Sequence, residues 1–159
     1  MGISLFRLFS FGLDLNRSEE SSKEACTRLF NQAENSIVIV SGELNGEFYG
    51  DSRVCKALTN AGKRGVSLEI AYGPQISSKI LTAVQKLEKQ YSNVKLYPLS
   101  ERPERHFMLI DGKTIRVQLG HLPGAKEHRA VVKHDSPEVA ATFSRFFDSL
   151  VGKGTPDLR

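Results

Sequence analysis

The run Ser36-Ile37-Val38-Ile39-Val40-Ser41 constrains this chain most. It is apolar and β-branched without alternation, which is the pattern of a strand buried on both faces, and such strands occur where helices cover both sides of a sheet. The flanking sequence supplies those helices. Upstream, Ser21-Ser22-Lys23-Glu24 has the spacing of a capping box, and Cys26, Leu29, Phe30 and Ala33 follow at helical intervals, predicting a helix over 19–34. Downstream comes a glycine-punctuated loop from Gly42 to Gly50. Asp51 then caps a helix whose buried face is Val54, Cys55, Leu58 and Ala61, ended by Gly62 and Gly65. A strand over 66–72, the breaker Gly73-Pro74, a helix over 77–90 with Ile80, Leu81, Val84 and Leu87 inward, and a strand over 93–99 complete this half.

The second half changes character. Strands over 106–110 and 114–119 meet at Asp111-Gly112, a strong hairpin signal, and a short strand over 129–133 follows. Ser136-Pro137-Glu138 opens a final helix with cap, first-turn proline and early acid in place. Its stripe Val139, Phe143, Phe146, Phe147 and Leu150 reads as core packing. Parallel βαβ units followed by an antiparallel hairpin predict an α/β fold with a mixed sheet flanked by helices on both faces.

Residues 1–17 read as an apolar arm, with Leu5, Phe6, Leu8, Phe9, Phe11, Leu13 and Leu15 interrupted by Arg7 and Asp14. The run is too short and too broken for a membrane-spanning helix. It is expected to dock on the domain, on a protein partner or on a membrane surface. Residues 18–151 then form one domain and 152–159 a flexible tail. Cys26 and Cys55 support neither a disulfide framework nor a zinc site. They are expected as small core residues in a reducing compartment, which predicts a cytoplasmic location. No histidine or acidic spacing matches a metal motif, so no metal or cofactor is expected. The formal charge of +4 permits phosphate-bearing ligands without being diagnostic of nucleic-acid binding.

Several of these segments together resemble the phospholipase D superfamily. In the first half, Val54-Cys55-Lys56-Ala57-Leu58 leads through Ala61-Gly62-Lys63-Arg64-Gly65 into the strand beginning Val66-Ser67-Leu68. In the second half, His106-Phe107-Met108-Leu109-Ile110-Asp111-Gly112-Lys113 stands where that superfamily carries His-x-Lys-x-x-x-x-Asp. The resemblance implies one copy of the motif in a phospholipase D-like domain. It also implies a phosphodiesterase chemistry in which the histidine attacks phosphorus, the lysine two residues on holds phosphate oxygens, and a second copy supplies the leaving-group acid. Histidine and lysine two apart on a strand share one face, which suits that division of labour.

The chain departs from the motif. Anchored on Asp111, Glu104 falls at the nucleophile position and His106 at the lysine position; anchored on His106, Met108 replaces the lysine. The Gly-Ser-x-Asn run expected after the hairpin reads Gly120-His121-Leu122-Pro123. The site residues implied are His106 and His121 for catalysis, with Glu104, His128, Arg129 and Asp111 for phosphate binding. A homodimer is expected. The favoured function is a degenerate site that binds a phosphate-bearing ligand, nucleic acid or a protein partner without the usual catalysis. The alternatives are a homodimeric phosphodiesterase or nuclease using His106 as nucleophile, and a purely structural interaction module.

Overall fold

In the computed structural model of the chain, which describes residues 13–119 and 129–153, the β-branched run forms β2 (Ser36–Ser41). It pairs in parallel with β3 (Ser67–Tyr72), Ile37 opposite Leu68 and Ile39 opposite Ile70, and β3 pairs in parallel with β4 (Val94–Pro98). On its other side β2 is antiparallel to β5 (Phe107–Ile110), which continues through the Asp111-Gly112 turn into β6 (Thr114–Gln118). β7 (Ala130–Lys133) pairs antiparallel with β6, and β1 (Leu13–Asn16) closes that edge. The sheet order β1-β7-β6-β5-β2-β3-β4 puts β5 in the middle of the seven described strands.

Side-chain alternation divides the sheet into two apolar faces. Ile37, Ile39, Leu68, Ile70, Met108, Ile110 and Val132 face α1 (Glu19–Gln32), α3 (Ser52–Lys63) and α4 (Ser78–Gln90). Val40, Ala71, Phe107, Leu109 and Ile115 face α5 (Pro137–Leu150). Helices therefore cover both faces, as the unbroken apolar strands require.

Several local expectations are corrected. Helix α1 is capped by Ser18 rather than Ser21; the Ser18 and Ser21 hydroxyls serve each other's backbone N–H groups at 3.1 Å in a reciprocal box. Residues 13–16, read as part of an arm, are an edge strand. The 42–50 loop contains a one-turn helix, α2 (Gly46–Tyr49). Cys26 is buried in the core as expected, but Cys55 is exposed. On α5, Val139 and Phe146 are each 37% exposed, so that stripe is only partly core. Lys153, assigned to the tail, contacts the Glu69 carboxylate and lies 4.9 Å from the Tyr97 ring centre. Expectations for residues 1–12 and 154–159 lie outside the described residues.

The hairpin turn carries a structural task beyond reversing the chain. Asp111 and Gly112 both have positive φ, 54° and 65°, as a primed hairpin turn requires. The Asp111 carboxylate accepts the backbone N–H groups of Glu34 (3.1 Å), Asn35 (2.7 Å) and Ser36 (3.0 Å), closing the exit of α1 onto the start of β2. Partial burial pushes this carboxyl's pKa up, but the three N–H donors and Lys113 outweigh it, and the net shift is downward. A lowered folded-state pKa means the contribution is fully present above the unfolded value of about 3.9 and is lost as pH falls through the folded value. Asp111→Ala is therefore expected to cost about 2–3 kcal/mol at pH 7. That difference should shrink below about pH 4. Denaturant unfolding of both proteins at pH 7 and pH 3 checks this; an equal gap at both values rules it out.

Candidate functional site

The strand order reverses at β2 and β5: the chain runs outward through β3 and β4, then returns to place β5 on the opposite side of β2. In open α/β sheets such a switch leaves a crevice at the carboxyl ends of the parallel strands, and ligands bind there. A cavity of about 100 Å³ lies at this point, lined by residues that include His106, Arg102, Arg116, Gln118, Ser41 and Asn45.

Two glycines permit close approaches beside the crevice. Gly73 donates its N–H to the carbonyls of Ser41 (3.2 Å) and Gly42 (3.0 Å), and a Cβ on Gly73 would meet the Gly42 oxygen at 2.5 Å. A Cβ on Gly42 would lie 2.8 Å from Arg102 Nε and 3.1 Å from His106 Nε2. Both nitrogens therefore rest over the bare Gly42 backbone. The loop that follows is held in an unusual conformation: buried Leu44 has φ 47°, and its N–H is accepted by the Ser41 hydroxyl at 3.1 Å. Positive φ at a non-glycine costs energy and concentrates at functional sites.

His106 sits one residue before β5, partly exposed, and its carbonyl accepts the Gln118 N–H at 3.0 Å. Alternation puts its side chain on the face of Met108, two residues on. That position holds no cation: Met108 is 3% exposed, with its sulfur 3.6 Å from the Cys26 thiol in the core. Burial, partly offset by Arg116, pushes the Cys26 thiol up to about 11, so it stays neutral. At the rim, Arg102 pairs with Glu43 at 3.3 Å.

Arg116 is the residue that sequence reasoning missed. It is 7% exposed on β6, directly opposite Met108, and its guanidinium lies 5.6 Å from the Phe48 ring centre. Among the described residues its Nε has no hydrogen-bond partner, nor has the buried Ser22 hydroxyl, and both residues line this cavity. Counting outward from the Asp111-Gly112 turn would have found the pairing.

The other predicted residues are dispersed. Glu104 is exposed and does not line the cavity. Asp111 lies at the far end of β5, occupied by Glu34, Asn35 and Ser36. Arg129 is exposed at the start of β7, its carbonyl accepting the Leu119 N–H at 2.8 Å, and it does not line the cavity either. His121 and His128 lie outside the described residues. Among the described residues there is no group of three or more His, Cys, Asp or Glu able to hold a metal ion, and no helix long and apolar enough to cross a membrane. A larger cavity of about 260 Å³ between α3 and α4 is lined mainly by aliphatic groups such as Ile39, Leu58, Ile70 and Val84. It lacks the converging polar groups that orient a charged ligand.

No protein-family model and no curated protein sequence matches the chain. Solved structures do. Nuc from Salmonella typhimurium, a phospholipase D family member, is 20% identical with a TM-score of 0.71, over 90% of this chain and 95% of its own. TrmBL2, an archaeal chromatin protein described as showing a novel mode of DNA binding, is 17% identical with a TM-score of 0.71, over 91% of this chain and 57% of its own. NucT from Helicobacter pylori is 13% identical with a TM-score of 0.63, over 89% of this chain and 96% of its own. The chain has a phospholipase D-like fold.

Proposed function

We propose that this chain is a phospholipase D-like domain whose cleft binds a phosphate-bearing ligand without the usual phosphodiester catalysis. One observation carries the reading. His106 faces the cleft at the switch point, while the position two residues on is filled by Met108, whose sulfur packs against Cys26 instead of presenting an ammonium to phosphate. The cleft keeps groups that bind an oxyanion, the His106 imidazole and the Arg102 guanidinium, and no lysine is among the described residues that line it. The DNA-binding description of TrmBL2 supports a nucleic acid as the carrier of that phosphate. Free Cys26 and Cys55 are compatible with the reducing, cytoplasmic setting that belongs to this proposal.

The test is thermal denaturation with inorganic phosphate or a short single-stranded DNA added. Wild type is expected to gain stability with ligand, and His106→Ala to bind about tenfold more weakly, the worth of one hydrogen bond to a charged group. Absence of any ligand effect on wild type refutes the reading.

A homodimer is part of the same proposal, because the chain carries a single motif copy. Exposed Leu15, Leu119, Val139 and Phe146 offer apolar surface for such a partner to cover. Sedimentation equilibrium at micromolar concentration is expected to give twice the chain mass; a clean monomer refutes it.

A further inference from the structure

We infer that Arg116, supplied by the neighbouring strand, is the cation that holds the anion in this cleft, and that its ligand is a tetrahedral oxyanion, either free phosphate or the phosphate of an ester. The inference rests on reading the cleft as an anion site and says which residue does the holding. It begins from register. Met108 and Arg116 are cross-strand partners on the helix-covered face that His106 also joins. Directly opposite side chains are neighbours, so a guanidinium on β6 reaches the space beside the Met108 thioether.

The second observation is electrostatic. A charge removed from water needs a partner, and buried charges in proteins are paired or bind ions. Arg116 is 7% exposed, and among the described residues its Nε has no hydrogen-bond partner and no ion pair joins it. The two described carboxylates lining the same cavity pair with other cations, Glu19 with Lys23 at 2.8 Å and Glu43 with Arg102 at 3.3 Å. Cys26 and Tyr49, which interact electrostatically with Arg116, are both kept neutral by burial. The Phe48 ring offsets part of the desolvation but supplies no hydrogen-bond acceptor.

The cavity supplies what the protein withholds. It measures about 100 Å³ and has a second unsatisfied polar atom, the Ser22 hydroxyl, on its wall. A phosphate group accepts hydrogen bonds from a guanidinium in its planar fork and from a hydroxyl beside it. Arg116 is therefore the principal anion contact, with Ser22, His106 and Gln118 around it.

A rival role is purely structural: Arg116 as packing on Phe48. Calorimetric titration with inorganic phosphate and, separately, dimethyl phosphate separates the two roles, using wild type, Arg116→Met and Arg116→Gln, with melting temperatures in phosphate-free buffer. Binding of dimethyl phosphate as well as phosphate identifies an ester ligand; binding of phosphate alone identifies the free ion. Both variants are expected to lose about tenfold to hundredfold in affinity for whichever probe binds. Arg116→Met is expected to melt no lower than wild type without phosphate, since an apolar group of similar length replaces a buried charge that no described residue pairs. Should Arg116→Met not fold, Arg116→Gln decides, because it removes the charge while keeping a polar end. Unchanged affinity in the folded variants overturns the assignment of Arg116 while the anion-site reading stands. Failure of wild type to bind either probe overturns that reading and the assignment with it.

Discussion

Phe107→Ala is expected to lower the unfolding free energy by about 3–5 kcal/mol, the usual cost of emptying a buried aromatic site. Phe107 is 2% exposed on the α5 face of β5. Its ring meets Phe143 edge-on at 5.0 Å between centres and Phe146 at 5.9 Å. Aromatic pairs of this geometry contribute about 0.5–1.5 kcal/mol beyond the area they bury, which places the expected loss towards the upper end. Collapse around the cavity is restricted because the wall opposite α5 is the sheet itself. Domains of this size are stable by only about 5–15 kcal/mol, so the variant should melt roughly 6–20 °C lower. Thermal and denaturant unfolding check the figure, and a cost below about 1 kcal/mol rules out Phe107 as the anchor of α5. Phe107→Leu keeps most of the volume and should lose much less. Since His106 is the preceding residue, the pair of variants also reports how far the cleft depends on the packing behind it.

The elements visible in the sequence were those whose cause is local. The β2 run, the Pro137 start of α5 and the Asp111-Gly112 turn each carry their own reason for folding within a few residues. β1 does not: Leu13-Asp14-Leu15-Asn16 becomes a strand because β7, more than a hundred residues later, pairs with it and His134 meets Asp14 at 2.9 Å. Cys55 sat at a helical interval from buried neighbours yet faces outward, since α3 presents Val54, Ala57, Leu58 and Ala61 to the core and the interval alone leaves about one residue of freedom. Candidate site residues followed the same rule. His106 was legible because its strand was. Arg116 was not legible because nothing within the stretch Thr114-Ile115-Arg116-Val117-Gln118 distinguishes a buried arginine from a solvent-facing one. Both faces of β6 are covered at that point, and Thr114, Ile115 and Arg116 are all buried. Alternation gives the face of a residue; whether that face meets solvent or another helix is decided by elements distant in sequence.

Purified protein is expected to show little or no metal-independent phosphodiesterase activity on a nitrophenyl phosphodiester, on single-stranded DNA or on lipid. The chemistry implied by the family resemblance forms a phosphohistidine and must stabilise charge developing on the phosphoryl oxygens. Loss of one preorganised donor from a comparable oxyanion site lowers the rate by roughly 10²–10³-fold, or about 2.7–4 kcal/mol. Anchored on His106, the motif's lysine position falls on Met108, buried against Cys26; anchored on Asp111 it falls on His106, and the serine and asparagine that the resemblance implies after the hairpin are absent from the sequence in either register. Such losses combine without adding fully, because groups that act on one transition state are coupled. Arg116 and Arg102 line the cavity, and under the proposed reading they supply ground-state binding, but uniform binding of substrate and transition state does not raise kcat. The informative comparison is wild type against His106→Ala, each shown to be folded by circular dichroism. Both are expected to be indistinguishable from the uncatalysed background in turnover, while differing in affinity for phosphate. Wild type turning over at an ordinary enzymatic rate of about 1–10³ s⁻¹, with His106→Ala inactive, would establish the phosphodiesterase alternative with His106 as its nucleophile.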